Sequence, residues 1–193
     1  SGKIADPLKL LDCSPISDGA AAVIITGDTQ IRKRHKSPIN IVASEVATDS
    51  LSICERESFT SLKSVVDASR KAYSKAGLSP KDIDVAEIHD CFSIAEVIAT
   101  EDLGFSPVGR GALEIAEGVH TLGGGTGKTV TNSSGGLKAC GHPVGATGIK
   151  QIAEIVEQLR GEAGTRQVAD AKIGLTHNVG GSGTVAVIHI LKK

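Results

Sequence analysis

The sequence SGGLKACGHPVGATG, residues 134–148, places one imidazole between glycine-rich turns and just ahead of an amphipathic helix. Glycines on both sides allow positive φ angles and a close backbone approach to a ligand, and Pro143 stiffens the exit from His142. A histidine on such a loop suits the binding and polarisation of an anionic or thiolate group. A helix-capping loop whose histidine only packs is the alternative interpretation. The helix that follows carries an apolar stripe at helical spacing: Ala146, Ile149, Ile152, Ala153, Ile155, Val156 and Leu159.

Two further segments place polar side chains next to predicted strands. HDCF, residues 89–92, follows the apolar stretch 85–88 and precedes a second amphipathic helix. HNVGGSG, residues 177–183, lies between two β-branched runs. Two more histidines and a cysteine therefore stand in comparable positions, which favours a functional site over simple packing.

Strand and helix signals alternate along the chain. The predicted strands are 19–26, 39–47, 84–88, a brief strand ending at Asn132, 171–177 and 183–191; the predicted helices are 62–76, ended by Gly77, one from HDCF to Leu103, 111–117 and 146–160. This alternation predicts an α/β fold with a mixed, mostly parallel sheet covered by helices. The link between the last two strands is too short for a parallel crossover, so this pair is predicted to be antiparallel.

The composition is that of a globular protein large enough to bury a core. The chain has 193 residues, of which 40% are hydrophobic and 22% charged, and its formal net charge is −1. The basic run 32–36 has no interleaved aromatic residues, so no nucleic-acid binding is expected; contact with the phosphates of a nucleotide-bearing ligand is the alternative. With no CxxC pair, signal peptide or long apolar segment, we expect reduced thiols, a cytoplasmic location and no membrane span.

The three segments resemble the signature blocks of the C-terminal half of thiolases, the acetyl-CoA acetyltransferase family. They are most similar to the sterol-carrier-protein-type and archaeal thiolases, in which HDCF replaces an asparagine-containing motif. Residues 11–23, LDCSPISDGAAAV, also resemble the segment where the thiolase chain leaves its loop domain. The resemblance implies a thiolase-like β-α-β-α-β-α-β-β domain over residues 39–193. Residues 1–38 would be a remnant of the N-terminal half, comprising the strand 19–26 and a linker.

The resemblance also implies which residues carry the chemistry. His142 would activate the nucleophilic cysteine and face the thioester oxygen, His89 would hold an oxyanion-stabilising water, and Cys91 would serve as acid and base. His177 stands where many thiolases carry that second cysteine and is counted with the catalytic set. The remaining implied site residues are the backbone oxyanion donors Val179 and Gly180 and the substrate contacts Ser14, Gly141 and Phe92. Coenzyme A enters as part of the acyl-CoA substrate, and no separate cofactor is implied.

The nucleophilic cysteine of thiolases has no counterpart in this sequence. Cys13 is predicted to be a buried small hydrophobe and Cys54 a loop or helix-edge thiol. The chain alone is therefore expected to be inactive, and a split thiolase whose partner chain carries the nucleophile is the leading hypothesis. The alternatives are a non-catalytic acyl-CoA-binding or scaffold subunit and a fragment of a complete thiolase. A half thiolase exposes a large apolar patch, which predicts a homodimer or a hetero-oligomer.

Three other ligand-binding motifs are matched only in part. His89 with Cys91, and Cys140 with His142, could supply the two nitrogens and two sulfurs of a tetrahedral zinc site. Zinc ligands separated by a single residue are unusual, however, so no metal is expected. GGGTGKT, residues 123–129, fails the P-loop pattern because Leu122 stands where a glycine is required. The dinucleotide fingerprint must open a helix, whereas the glycines at 181–183 precede strand-like sequence.

Overall fold

The described part of the chain contains seven β-strands and six α-helices. The computed structural model describes residues 1–34, 36–124 and 128–193. His35 of the basic run and residues 125–127 of the glycine loop lie outside the described residues. None of the described helices combines the length and the apolar character that a membrane crossing requires.

The strands form a small hairpin and a larger sheet. In chain order they are β1 (Lys3–Ala5), β2 (Leu8–Lys9), β3 (Asn40–Thr48), β4 (Val85–Glu87), β5 (Val130–Thr131), β6 (Ile173–Gly180) and β7 (Val185–Lys192). β1 pairs with β2, and the other five strands form the main sheet. The strands predicted from residue 39 onward are confirmed to within a few residues at their ends.

The helices follow the predicted apolar periodicity. They are α1 (Thr29–Arg34), α2 (Lys63–Ala76), α3 (Ser93–Asp102), α4 (Gly111–Ala116), α5 (Gly136–Cys140) and α6 (Thr147–Arg160). α2 and α6 end at Gly77 and Gly161, which adopt the left-handed conformation that favours glycine at a helix C-terminus. The predicted helices are therefore present, and the short helices α1 and α5 are additions that the sequence patterns did not indicate.

The main sheet has the strand order β3-β7-β6-β4-β5. β6 pairs antiparallel with β7, as the short link between them predicts, and β7 pairs antiparallel with β3. β4 pairs parallel with both β5 and β6. The mixed α/β fold is confirmed, but parallel and antiparallel pairings are equal in number, so the sheet is less parallel than predicted. The long β3 accounts for the difference, because it joins the sheet at the antiparallel edge of β7.

Helices cover both faces of the main sheet. α2 and α3 pack on one face through residues such as Val65 and Ala99, against sheet residues that include Ile188. α6 packs on the other face through Ile152, Ile155 and Leu159. Because successive strand residues point to opposite faces, neighbouring side chains of β7 contribute to the two different cores. The sheet is thus held rigid between two apolar layers, and its edges are free to carry polar side chains.

Residues 19–26 do not form the strand that their apolar sequence predicts. They have no regular secondary structure, and Ile24 and Ile25 are 97% and 70% exposed. A strand is stable only when a neighbouring strand satisfies its backbone groups, and the described residues provide none here. Cys13 is half-buried rather than buried, and it forms an isolated antiparallel bridge with Phe92. The chain between Cys13 and Ile24 therefore runs along the surface of the domain.

Candidate active site

Two of the predicted catalytic histidines lie at the same edge of the sheet. β4 ends at Glu87 and continues into the HDCF segment, while His177 lies in the carboxyl-terminal half of β6. The two strands run parallel with Glu87 opposite Thr176, so their carboxyl ends meet at one edge. This edge is where ligands commonly bind in open α/β sheets.

His89 and His177 are joined by a hydrogen bond. The backbone N–H of His89 donates to Nδ1 of His177 over 3.3 Å. Both side chains are almost fully buried, at 5% and 1% exposure. Burial is the main cause that lowers the pKa of His177 to about 3 and that of His89 to about 4; the His89 ring contributes to the first shift and the His142 ring to the second. Both rings are therefore uncharged at neutral pH.

The hydrogen bond also fixes the tautomer of His177. Because Nδ1 accepts a hydrogen bond from the His89 N–H, the neutral ring must carry its own hydrogen on Nε2. Nε2 of His177 and Nδ1 of His89 are buried and have no hydrogen-bond partner among the described residues. Buried polar atoms are nearly always paired, so these two nitrogens are free to bind a ligand or water.

His142 joins this pair from a different part of the chain. Its ring meets the His89 ring edge to face, with centroids 4.8 Å apart and planes at 88°. His142 Nδ1 lies 2.8 Å from the Thr147 hydroxyl oxygen, and that hydroxyl donates to the Pro143 carbonyl. With the Thr147 hydroxyl proton directed to the Pro143 carbonyl, Nδ1 of His142 is the donor in this pair and carries the ring hydrogen. Nε2 of His142 then carries a lone pair that can accept a proton.

The protonation of His142 is set by burial and by one nearby carboxylate. Burial lowers the pKa of His142, and the negative charge of Asp90 acts in the opposite direction. Asp90 is itself buried and accepts hydrogen bonds from the backbone N–H groups of Leu137 and Lys138. Asp90 therefore anchors α5, which leads directly into His142, to the HDCF segment. Sequence reasoning missed this residue, although its place inside HDCF was a signal.

Gln151 is a second residue that sequence reasoning missed. Its side-chain amide donates to the His177 carbonyl over 2.9 Å and accepts from the Asn178 amide over 3.3 Å. It is buried on α6, one turn after the His142 loop. Gln151 therefore links α6 to the strand that carries His177. The only available signal was a polar residue on the inner side of an apolar helix.

Cys91 lies beside the segment that enters from the N-terminus. Its carbonyl accepts a hydrogen bond from the Ser14 N–H over 2.9 Å, and the thiol is half-buried. Burial raises the pKa of the Cys91 thiol, so the thiol is protonated at neutral pH. Phe92 is 50% exposed at the start of α3. The structure thus places Ser14 against the HDCF segment, while no hydrogen bond is described between the Cys91 thiol and the three imidazoles.

The remaining predicted site residues lie at the ends of their elements. Gly141 is buried and has φ of 86°, a conformation that favours glycine. Val179 is half-buried and packs against the apolar core, and Gly180 is exposed at the end of β6. Val179 and Gly180 therefore lie in the same strand as His177, at its carboxyl end.

The zinc alternative is not supported by the side-chain positions. The Cys140 thiol is exposed and donates to the Ser134 carbonyl over 2.9 Å, while His142 turns its ring toward His89. Within residues 1–34, 36–124 and 128–193, no three side chains of the histidine, cysteine or acidic types form a group that could hold a metal ion.

The fold and the site together define a mixed α/β domain in which His89, His142 and His177 gather at the carboxyl edge of the parallel strands. Residues 45–193 match a family described as thiolase C-terminal domain-like, and the chain belongs to this family. The resemblance of the three sequence segments to thiolases is therefore confirmed.

Similar proteins extend the match beyond this domain. The acetyl-CoA acetyltransferase of Methanothermobacter thermautotrophicus is 49% identical over 193 residues, which cover 100% of this chain and 50% of that protein. Sterol carrier protein 2 of Homo sapiens is 46% identical over 192 residues, covering 97% of this chain and 35% of that protein. A solved structure of an Ltp2-ChsH2(DUF35) aldolase has a TM-score of 0.78 at 25% identity, covering 98% of this chain and 49% of that one. The chain spans half or less of the length of these proteins.

Proposed function

We propose that this chain supplies the acid–base half of a thiolase-type acyl-CoA C-acyltransferase, acting on acyl-CoA or acetoacetyl-CoA. The observation that carries the proposal is the state of His142. With the Thr147 hydroxyl proton on the Pro143 carbonyl, Nδ1 of His142 donates to Thr147 and Nε2 carries the lone pair, while burial lowers the pKa of the ring. A neutral imidazole of this kind is suited to take the proton of a cysteine thiol.

In this proposal, His142 uses one nitrogen for two tasks. Nε2 first accepts the proton of the nucleophilic thiol, which leaves a thiolate ready to attack. The same nitrogen, now bearing hydrogen, donates to the thioester oxygen on which negative charge develops. When the thiolate is released at the end of the cycle, His142 returns the proton to it.

Cys91 is proposed to move the proton at the α-carbon. In thiolysis of a 3-oxoacyl-CoA, the thiolate attacks the 3-oxo carbon and the bond between C2 and C3 breaks. The electron pair leaves with the acetyl-CoA enolate, and the Cys91 thiol protonates C2. The Cys91 thiolate then takes the proton of an incoming coenzyme A thiol, whose sulfur displaces the acylated cysteine. Because burial raises the pKa of Cys91, the resting thiol holds the proton that the first half-reaction requires.

His89 and His177 are proposed to act as neutral hydrogen-bonding groups. With its hydrogen on Nε2, His177 can donate to an oxyanion or to a bound water, and its low pKa prevents it from acting as a base near pH 7. His89 offers its unpaired Nδ1 to the same region. This division leaves His142 and Cys91 as the groups that transfer protons.

The acylated cysteine is proposed to belong to another polypeptide segment. Cys54 is exposed in a short turn at 53–55, and Cys13 lies in an irregular segment. Neither position has the strand-to-helix setting of the family nucleophile. A nucleophile-bearing thiolase half, in a partner chain or in the same polypeptide, would complete the site and cover exposed apolar side chains such as Ile24 and Val144.

The test begins with complexes isolated from source cells through this chain. Mass spectrometry shows whether a cysteine-bearing thiolase half is present and whether it is covalently continuous with these residues. The assembly should cleave acetoacetyl-CoA in the presence of coenzyme A, and His142→Ala should lower kcat by roughly 10²- to 10⁴-fold. His189→Ala, which changes a histidine of β7 whose ring contacts the Ser44 hydroxyl of β3 and none of the three site histidines, should leave turnover unchanged. Acyl-CoA binding without turnover would instead identify a non-catalytic binding or scaffold subunit.

A second candidate is aldolase-type carbon–carbon cleavage. The similarity to a solved aldolase covers 98% of the chain, and such cleavage requires a base and enolate stabilisation but no acylated cysteine. The two candidates differ in the covalent intermediate. Mass spectrometry of the assembly after brief exposure to acetoacetyl-CoA should detect an acetylated cysteine for a thiolase and none for an aldolase.

A further inference from the structure

The segment 12–19 contacts both histidine-bearing motifs. At one end, the Ser93 hydroxyl donates to Asp12, Cys13 bridges Phe92, and the Ser14 N–H donates to Cys91. At the other end, the segment reaches the loop 141–143. We name residues 12–19 the strap, because they are tied to two segments that lie far apart in sequence.

Ser17 makes the contact between the strap and His142. Its hydroxyl donates to the Pro15 carbonyl over 3.1 Å, which leaves the oxygen lone pairs available. The backbone N–H of His142 donates to that oxygen over 2.9 Å. The hydroxyl therefore fixes the main chain at the residue whose ring must meet both His89 and the proposed nucleophile.

Two glycines allow the strap and the His142 loop to approach this closely. A Cβ atom added at Gly141 would overlap the Ser17 side chain, and one added at Gly19 would lie 2.9 Å from the Pro143 ring. The loop and the strap thus press directly on each other on both sides of His142. A shallow groove lined by residues 17–21 and 143–146 lies along this contact.

From these contacts we infer that Ser17 is a positioning residue for His142. The inference rests on the proposed function and deepens it. Thr147 fixes the ring of His142 through Nδ1, and Ser17 fixes its backbone through the N–H, so the direction of Nε2 is determined from two sides. Small displacements of a reacting group cost substantial rate, which gives the Ser17 hydroxyl a measurable kinetic effect.

The kinetic test compares Ser17→Ala, Ser17→Thr and Ser58→Ala in the assembled enzyme. Ser58 is a matched control, because its hydroxyl also accepts a backbone N–H, from Thr60 over 3.1 Å, in a turn away from the site. Ser17→Ala should lower kcat for acetoacetyl-CoA thiolysis roughly tenfold with little change in KM, as expected for one lost hydrogen bond. Ser17→Thr, which keeps the hydroxyl, should recover most of the activity, and Ser58→Ala should match the wild type.

Amide hydrogen exchange provides a readout that does not depend on turnover. In the full chain, Ser17→Ala should accelerate exchange of the His142 amide several-fold, with the melting temperature unchanged, and Ser58→Ala should not. Unchanged exchange, or a kcat within error of the wild type, overturns the role of Ser17. If the wild-type assembly itself lacks turnover, the proposed function fails, and the exchange rate alone decides whether Ser17 holds the loop.

Discussion

The rings of His89 and His142 meet edge to face with their centroids 4.8 Å apart. One ring follows the end of β4, and the other follows the short helix α5. Two imidazolium charges at this distance would repel each other in a poorly hydrated site. The contact therefore favours a site in which both rings are neutral and one nitrogen of His142 remains basic.

Removing the His142 ring should raise the pKa of His89. Burial is the main cause that brings this pKa to about 4, and the neighbouring His142 is the second. In His142→Ala the second cause is lost, so the pKa of His89 should rise but stay below the ordinary value of 6.5. NMR titration of the imidazole resonances measures the change. His189→Ala should leave the pKa of His89 where it is, and a fall in His142→Ala would contradict the assignment.

The buried His177 should make the protein sensitive to acid. The unfolded chain protonates this ring below about pH 6.5, whereas the folded chain resists protonation until about pH 3. Unfolding therefore takes up a proton in this interval, so stability is retained above pH 6.5 and lost as the pH falls.

The replacement His177→Gln should remove this dependence. From pH 7 to pH 5, the free energy of unfolding should fall by about 2 kcal/mol more in the wild type than in His177→Gln. Urea titrations at the two pH values provide the measurement. The buried Glu87 has its pKa raised to about 7 and acts in the opposite direction, but it is present in both proteins and cancels in the difference. Equal pH dependence of the two proteins would disprove the neutral buried state of His177.

Asp90 should stabilise the protein as the anchor of α5. Asp90→Ala leaves the buried N–H of Leu137 without its acceptor, so we expect a loss of about 2 kcal/mol in the free energy of unfolding. Asp82→Ala is the matched control, because Asp82 accepts the Ser79 N–H in an exposed turn, and it should cost less. The pKa of His142 should also fall in Asp90→Ala, since the Asp90 charge raises it. An unchanged His142 titration would rule out this electrostatic link.

The cysteines should differ in their reactivity toward an alkylating reagent. Burial raises the pKa of Cys91, so little thiolate forms there near pH 8, whereas Cys54 is exposed. Iodoacetamide should therefore label Cys54 before Cys91, as followed by mass spectrometry of peptides over time. Preferential labelling of Cys91 in the folded chain would show an activated thiolate and contradict its assignment as a resting acid. Denatured protein, in which both thiols are exposed, serves as the control.

Local sequence patterns predicted most of the elements because their causes are local. The apolar stripe of α6, the stop at Gly77 and the short link before β7 are consequences of helix periodicity, glycine conformation and chain reach. The predicted strand at 19–26 is wrong because strand formation depends on residues elsewhere in the chain. Its apolar composition is local, but a strand exists only where another strand pairs with it.

The sequence by itself determined the fold class, the helices and strands from residue 39 onward except α5, and the three segments that carry His89, His142 and His177. Only the tertiary structure decided that His89 contacts both His142 and His177, that Nδ1 of His142 faces Thr147, and that Asp90 and Ser17 hold the His142 loop. These features depend on hydrogen bonds between residues far apart in the chain. Such contacts are set by how the sheet edge and its loops pack together, and no periodicity within one segment encodes them.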